Sequence, residues 1–185
     1  MASLKSWEDV YDGKAPLFIS AANAAAVVHL LKALEPYKDV KLVLSAPGPT
    51  LYETLDHLPG RSVRVLVRPG LSLMPNTRDR IDLACVLHQA GVEFAFTQPA
   101  SQADLIATQD SPLFPVAYSV RSGLPRKAAL EALTARPAAL LGLDKTHGTI
   151  EPGKSADLLI FTGDPLDPES QLARVLIEGR TVYEN

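Results

Sequence analysis

From position 16 onward, short and nearly continuous apolar runs alternate with amphipathic stretches, a pattern that predicts repeated βα units on a parallel sheet. The first run, Pro16 to Ala21 (PLFISA), reads as a strand. It precedes AANAAAVVHLLKALEPY, an alanine- and leucine-rich helix that Pro36 stops. KLVLSA is a second strand ending at Ala46, after which Pro47, Gly48 and Pro49 turn the chain into a helix around Thr50 to Leu58. VRVLVRP gives a third strand, and the loop GLSLMP leads to a helix expected from about Thr77 to Ala90. Asn76 is the expected N-cap of that helix, and Gly91 closes it. EFAFTQ, residues 93 to 98, is the fourth strand.

These strands begin near 16, 41, 63 and 93, so they repeat every 22 to 30 residues, close to one unit of a (βα)-barrel. Their continuous apolar character fits strands covered on both faces. Four such units leave two open edges, which predicts either closure against another copy or chain, or an open layered sheet. Beyond residue 110 the pattern changes to helices over 111 to 142, with Pro125 suited to a first helical turn and Pro137 expected to force a break. Short β-like pieces, ADLLIFTGD and RVLIEGRTVYE, follow on either side of the turn-rich segment GDPLDPES. The expected organisation is an α/β half barrel with C-terminal helices over 1–142 and a small β subdomain over 143–185.

Composition narrows the function. Hydrophobic residues make up 46% of the 185 positions and charged residues 21%, an ordinary profile for a soluble globular chain. No apolar run is long enough to span a bilayer, and MASLKSWEDVYDGK has charges where a signal peptide is apolar. The expectation is a cytoplasmic protein without a membrane partner. Net charge is −3 with scattered basic residues, which argues against a nucleic-acid partner. Cys85 is a single cysteine in an apolar helical stretch and reads as a small buried residue.

One segment is more specific. From Gly123 to Tyr183 the chain reads GLPRKAALEALTARPAALLGLDKTHGTIEPGKSADLLIFTGDPLDPESQLARVLIEGRTVY. This resembles the C-terminal segment of the amidohydrolase superfamily, in particular its imidazolonepropionase-like branch. There a helix ALxAxTxxPAxxLGL precedes GxIxPGKxADLxxxxGDPL and a strand ending in a G-R/K-x-V-Y turn. Residues 13 to 98 resemble strands five to eight of the same barrel. The resemblance implies the second half of a TIM-type (βα)-barrel plus a fragment of the small β-sandwich that family members carry.

The resemblance also implies a chemistry, in which one or two divalent metals at the barrel mouth lower the pKa of a bound water so that hydroxide attacks C–N bonds. The family's ligands are a His-x-His pair on the first strand, a Lys or Glu on the fourth, histidines on the fifth and often the sixth, and an aspartate on the eighth. The first- and fourth-strand ligands fall in segments this sequence does not include. Ser20 stands where the fifth-strand histidine would be, Ser45 stands near the sixth-strand position, and FAFTQPAS puts Gln98 and Pro99 where the aspartate is expected. His29, His57, His88 and His147 fall on helices or in a late loop rather than at strand ends. Asp104 and Asp110 follow the fourth strand and read as capping or solvated loop carboxylates. No G-x-S-x-G elbow supports a serine triad, and SAPGPTLYE lacks the glycine spacing of a phosphate loop.

The expectation is therefore an amidohydrolase-like protein without metal ligands, catalytic residues or a cofactor of its own, acting through assembly or ligand binding. A homo-oligomer or a separately encoded N-terminal half would cover the open strands. The alternative is a C–N hydrolase completed by a partner chain or second copy, which would hold a divalent metal only through the partner's ligands. Any small-molecule ligand would meet Ser20, Asn23, Ser45, Arg68, Gln98 and Ser101 at the strand ends, with Arg68 reading a carboxylate.

Overall fold

A computed structural model describes residues 4–74, 77–97 and 113–185. Packing divides the chain into two compact units, 1–97 and 98–185.

In the first unit a short helix, α1 (Leu4–Tyr11), leads to β1 (Leu17–Ser20), α2 (Ala24–Ala33), β2 (Leu42–Ser45), α3 (Gly48–Glu53) and a 3-10 turn (Leu55–His57). Then come β3 (Val63–Val67), β4 (Leu71–Leu73), β5 (Arg80–Asp82), α4 (Leu83–Gln89) and β6 (Glu93–Phe96). The strands β1, β2, β3 and β6 form one parallel sheet in that order, each paired with the next. Right-handed crossovers between successive parallel neighbours put the intervening helices on one side of such a sheet. The register assigns the two faces. Leu42 and Val63, then Leu44, Val65 and Phe94, then Val67 and Phe96 share a face, and all are buried. Buried helical residues available to cover it include Val27 and Leu31 of α2, Leu51 of α3 and Leu83 and Leu87 of α4.

The other face is mixed. Phe18, Val43, Arg64 and Glu93 lie side by side in one row, and Ser20, Ser45, Leu66 and Ala95 in the next. Phe18 is 49% exposed, and Arg64 Nε donates to Glu93 Oε2 at 2.7 Å across the strands. The sheet does not close on itself among the described residues, so the observed fold is mixed α/β with an open parallel sheet.

One expected helix differs. The stretch placed in a helix from about Thr77 begins instead with an antiparallel hairpin of β4 and β5, Leu71 opposite Asp82 and Leu73 opposite Arg80. The helix starts at Leu83, and Asp82 is its N-cap, with Oδ1 accepting from Cys85 N–H at 3.2 Å. The segment TRDRID is too polar to present an apolar helical stripe, so the helix waits for the buried run Leu83–Ala84–Cys85. The expected cap Asn76 lies outside the described residues. Gly91 closes the helix as expected, at φ +69.

In the second unit, helices α5 (Phe114–Arg121), α6 (Arg126–Leu133) and α7 (Ala135–Leu140) bury Val116, Ala128, Ala129, Ala132 and Leu140. Pro137 sits in the first turn of α7, where its missing N–H costs nothing. The break falls at Thr134 instead, which leaves the helical region at φ −126, ψ −77. An antiparallel sheet of β7 (Leu158–Phe161), β8 (Leu172–Ile177) and β9 (Arg180–Glu184) follows. Helices and sheet belong to one unit, whereas the sequence pattern puts a boundary at 142/143. Two contacts span that point: Arg126 donates to both carboxylate oxygens of Asp164 at 2.6 Å, and Gly148 packs against α7 so closely that an added Cβ would stand 2.6 Å from that of Ala138. Among the described residues no helix is long and apolar enough to cross a membrane.

Candidate functional site

In a parallel sheet with helical crossovers, the carboxyl ends of the strands are where the chain turns away and leaves room for a ligand. Here those ends frame a cleft of ≈ 430 Å³ in the first unit. The volume suits a small molecule. Ser20 and Ser45 stand directly opposite each other as the last paired residues of β1 and β2. Leu66 lies beside Ser45 in the same row. Arg68 and Thr97 follow two residues beyond Leu66 and Ala95, so strand periodicity returns them to the same face. The ladder runs past the strands, since Ala21 N–H donates to Ser45 O at 2.8 Å and Thr97 N–H to Val67 O at 3.0 Å. This fixes the backbone under all four polar positions.

A further wall comes from the hairpin, which brings Ser72 to the cleft beside Leu51 and Leu83. Gly48 makes that approach possible. A Cβ there would stand 2.9 Å from Ser72 Oγ and 3.0 Å from Leu83 Cδ1. Among the described side chains lining the cleft, Arg68 is the one charged group. It has an interaction of its own within the fold.

Of the six strand-end residues expected from the sequence, Ser20, Ser45 and Arg68 line this cleft. Asn23 does not line it. Its Oδ1 accepts from Ala26 N–H at 2.9 Å and caps α2. Gln98 and Ser101 lie outside the described residues, as do Asp104 and Asp110. The cleft adds Ser72 and Thr97, which sequence reasoning missed. Thr97 was within reach of the sequence, since it immediately precedes Gln98 on the same run, but Ser72 depends on a hairpin that no apolar alternation announces.

Beside the cleft, Asp82 is 6% exposed, and its Oδ2 has no hydrogen-bond partner among the described residues. His29, His57 and His88 are exposed on α2, the 3-10 turn and α4. His147 belongs to the second unit, with Nε2 3.3 Å from Asp157 Oδ2 and Nδ1 2.8 Å from Thr146 Oγ1. Among the described residues no three of His, Cys, Asp and Glu gather as a metal ion requires.

The strongest carboxylate perturbations lie in the second unit. Arg126 holds the Asp164 carboxyl down to about 2, helped by Leu166 N–H. Asp157 is lowered first by Glu178 N–H, 2.7 Å from its Oδ1, and then by Ser155. Asp164 ties its loop to α6 through Arg126, and Asp157 clamps the β8–β9 turn, where Glu178 has φ +50.

Comparison with known proteins gives a consistent picture. The model of the amidohydrolase family matches residues 103–183. The amidohydrolase tasK of Hapsidospora irregularis is 35% identical over 63 residues, 34% of this chain and 6% of that protein. The crystal structure of an amidohydrolase from Thermotoga maritima MSB8 superposes with a TM-score of 0.73 at 27% identity, covering 98% of this chain and 46% of that one. A prolidase solved with N-methylphosphonate-L-proline shares the fold, with a TM-score of 0.61 at 16% identity over 96% of this chain and 47% of its own. The chain thus spans less than half the length of these solved structures, and a small fraction of the curated relative.

Proposed function

Taking the chain as a partial-length member of the amidohydrolase superfamily, the membership these matches support, we propose that it is a half (βα)-barrel without the superfamily's metal-binding and catalytic residues. By itself it does not catalyse, and it acts through assembly or ligand binding. The observation that carries this reading is Ser20 at the end of the first strand, where the resemblance calls for an imidazole, paired in register with Ser45 near the position where the family often has another. Zinc and its neighbours take imidazole, thiolate and carboxylate donors, and a neutral hydroxyl is a poor substitute. Among the described residues the cleft offers the hydroxyls of Ser20, Ser45, Ser72 and Thr97 and the guanidinium of Arg68, a donor set that does not fit a divalent metal. A hydrolytic step through such an ion has no support in that donor set.

Assembly follows from the sheet. Among the described residues β1 and β6 are the edge strands, and the face bearing Phe18 carries an ion pair and partly exposed side chains rather than a finished core. A second copy, or a separately encoded N-terminal half, would cover both.

A second reading has one observation in its favour. The chain covers 46% of the Thermotoga maritima amidohydrolase, so a partner supplying the rest could bring first- and fourth-strand ligands and complete a C–N hydrolase. The two readings separate in an assay of the purified chain with zinc or manganese and N-acetyl-L-leucine as substrate. No turnover above the blank is expected, and metal-dependent release of leucine would contradict the proposal. Size-exclusion chromatography with light scattering tests assembly, with a dimer or larger expected and a monomer contradicting that part.

A further inference from the structure

We infer that the amino edge of the parallel sheet, at the opposite end from the strand-end cleft, binds the phosphate group of a small molecule between Lys41, Ser62 and Arg64. This site is separate from that cleft and goes beyond the proposed function.

Register sets the three side chains. Lys41 and Ser62 stand one residue before the paired Leu42 and Val63, and the bond from Leu42 N–H to Ser62 O at 3.1 Å extends the sheet to them. Strand periodicity puts both on the face of Val43 and Arg64, two residues on. All three line a cleft of ≈ 240 Å³, as do the turns at Gly60 and Gly91. Those glycines hold φ +75 and +69, and a Cβ on either would meet nothing within 4 Å, so the lining there is bare backbone beside open space. A second cleft of ≈ 330 Å³ shares Gly60, Arg61, Ser62 and Val63 with the first and adds Lys38.

The charges can be followed pair by pair. Across the two clefts the lining carries Lys38, Lys41, Arg61 and Arg64 against Glu35 and Glu93. Arg64 Nε donates to Glu93 Oε2 at 2.7 Å, and Arg61 donates to Glu35 Oε1 at 3.4 Å and to Leu31 O at 3.3 Å. These bonds occupy both carboxylates. Lys38 and Lys41 enter no ion pair or side-chain hydrogen bond among the described residues, so they are the surplus cations. Asp39, next to Lys38 in sequence, lines neither cleft. The field there favours an anion, and a dianion most. The bond to Glu93 uses Nε of Arg64, which leaves its two terminal nitrogens able to donate.

Shape selects the anion. Leu58, Val63 and Val92 line the first cleft but are buried, so what it presents to solvent is polar side chain and backbone. An apolar body gains little there. An ammonium, a hydroxyl and a guanidinium side by side can each meet one oxygen of a phosphate, whereas a carboxylate has only two to offer.

The test is calorimetric titration of the purified chain at low salt with inorganic phosphate, glycerol 3-phosphate and acetate. Phosphate and its ester are expected to compete for one site, each about tenfold tighter than acetate, and added salt should weaken both. Lys41→Gln should lose about fivefold to tenfold in affinity for phosphate. Glu93→Gln should gain about threefold or more, because it removes a carboxylate and releases Arg64, whereas a purely structural ion pair would give no gain. Both positions are exposed, and unchanged thermal unfolding verifies that the variants fold. Lys127→Gln, 88% exposed in the second unit, should leave binding unchanged.

No saturable binding of phosphate, acetate binding as tightly, or parental affinity in both Lys41→Gln and Glu93→Gln would overturn the inference. Inorganic phosphate binding without the ester would overturn its assignment to a phosphorylated molecule.

Discussion

Asp164 and Gly148 show how single residues hold the helices and the small sheet of the second unit together. With its folded pKa at about 2 against an ordinary 3.8, Asp164 favours the folded state at neutral pH. The sign follows from the depressed value: the stabilisation is complete above the unfolded pKa and fades as pH falls through 3.8 toward 2. Asp164→Asn should therefore lower the unfolding temperature at pH 7, and the gap from the parent should close between about pH 4 and pH 2. A gap that stays constant over that range in thermal melts would remove the ion pair with Arg126 as its cause. Gly148 is a steric case. At φ +95 it holds a conformation L side chains avoid, and a Cβ would stand 3.1 Å from Ala135 Cα and 3.2 Å from Thr134 O. Gly148→Ala is expected to cost about 1–3 kcal/mol in denaturant unfolding, because backbone rather than a flexible side-chain tip must move.

Elements in the first unit are set by burial and by caps. Leu44 is wholly buried at the centre of the sheet, so Leu44→Ala should cost about 2–5 kcal/mol through lost contacts and a residual cavity. Asp82 makes a sharper test, because its two oxygens differ. Oδ1 caps α4 and Oδ2 is buried without a partner among the described residues. Asp82→Ala should cost about 0.5–2 kcal/mol as the cap is lost. Asp82→Asn keeps the acceptor that caps α4, so it should retain more of the stability than Asp82→Ala, measured by the same denaturant melts. These elements also mark what the sequence could convey. The four parallel strands were legible because PLFIS, LVLS, VRVLV and EFAF are apolar runs at βα spacing, and each is a strand within two residues of its expected ends. The β4–β5 hairpin was not legible. Its three-residue strands LSL and RID are too short to show alternation, and they exist through pairing with each other rather than through local preference. Pro137 misled for a related reason, since proline interrupts a helix only beyond its first turn, and the turn count depends on where Thr134 ends the previous one.

For the molecule as a whole, the carboxyl edge of the sheet, where the cleft lies, could be located from the sequence, and its lining was legible in part. Ser20 and Ser45 could be placed by strand counting alone, and the register pairs them. Asn23 could not be assigned, because an asparagine after a strand serves equally as a helix cap or a ligand contact, and only the hydrogen bond from Ala26 decides. Ser72 required the tertiary fold. The functional reading rests on Ser20, with Ser45 paired beside it, standing where the resemblance places metal ligands, next to the hydroxyls of Ser72 and Thr97 and the guanidinium of Arg68 in the cleft. Elemental analysis of the purified protein for zinc, iron, manganese and nickel, after exhaustive dialysis, tests this most directly. Far less than one metal ion per chain is expected, and one or more tightly held ions per chain would contradict that reading.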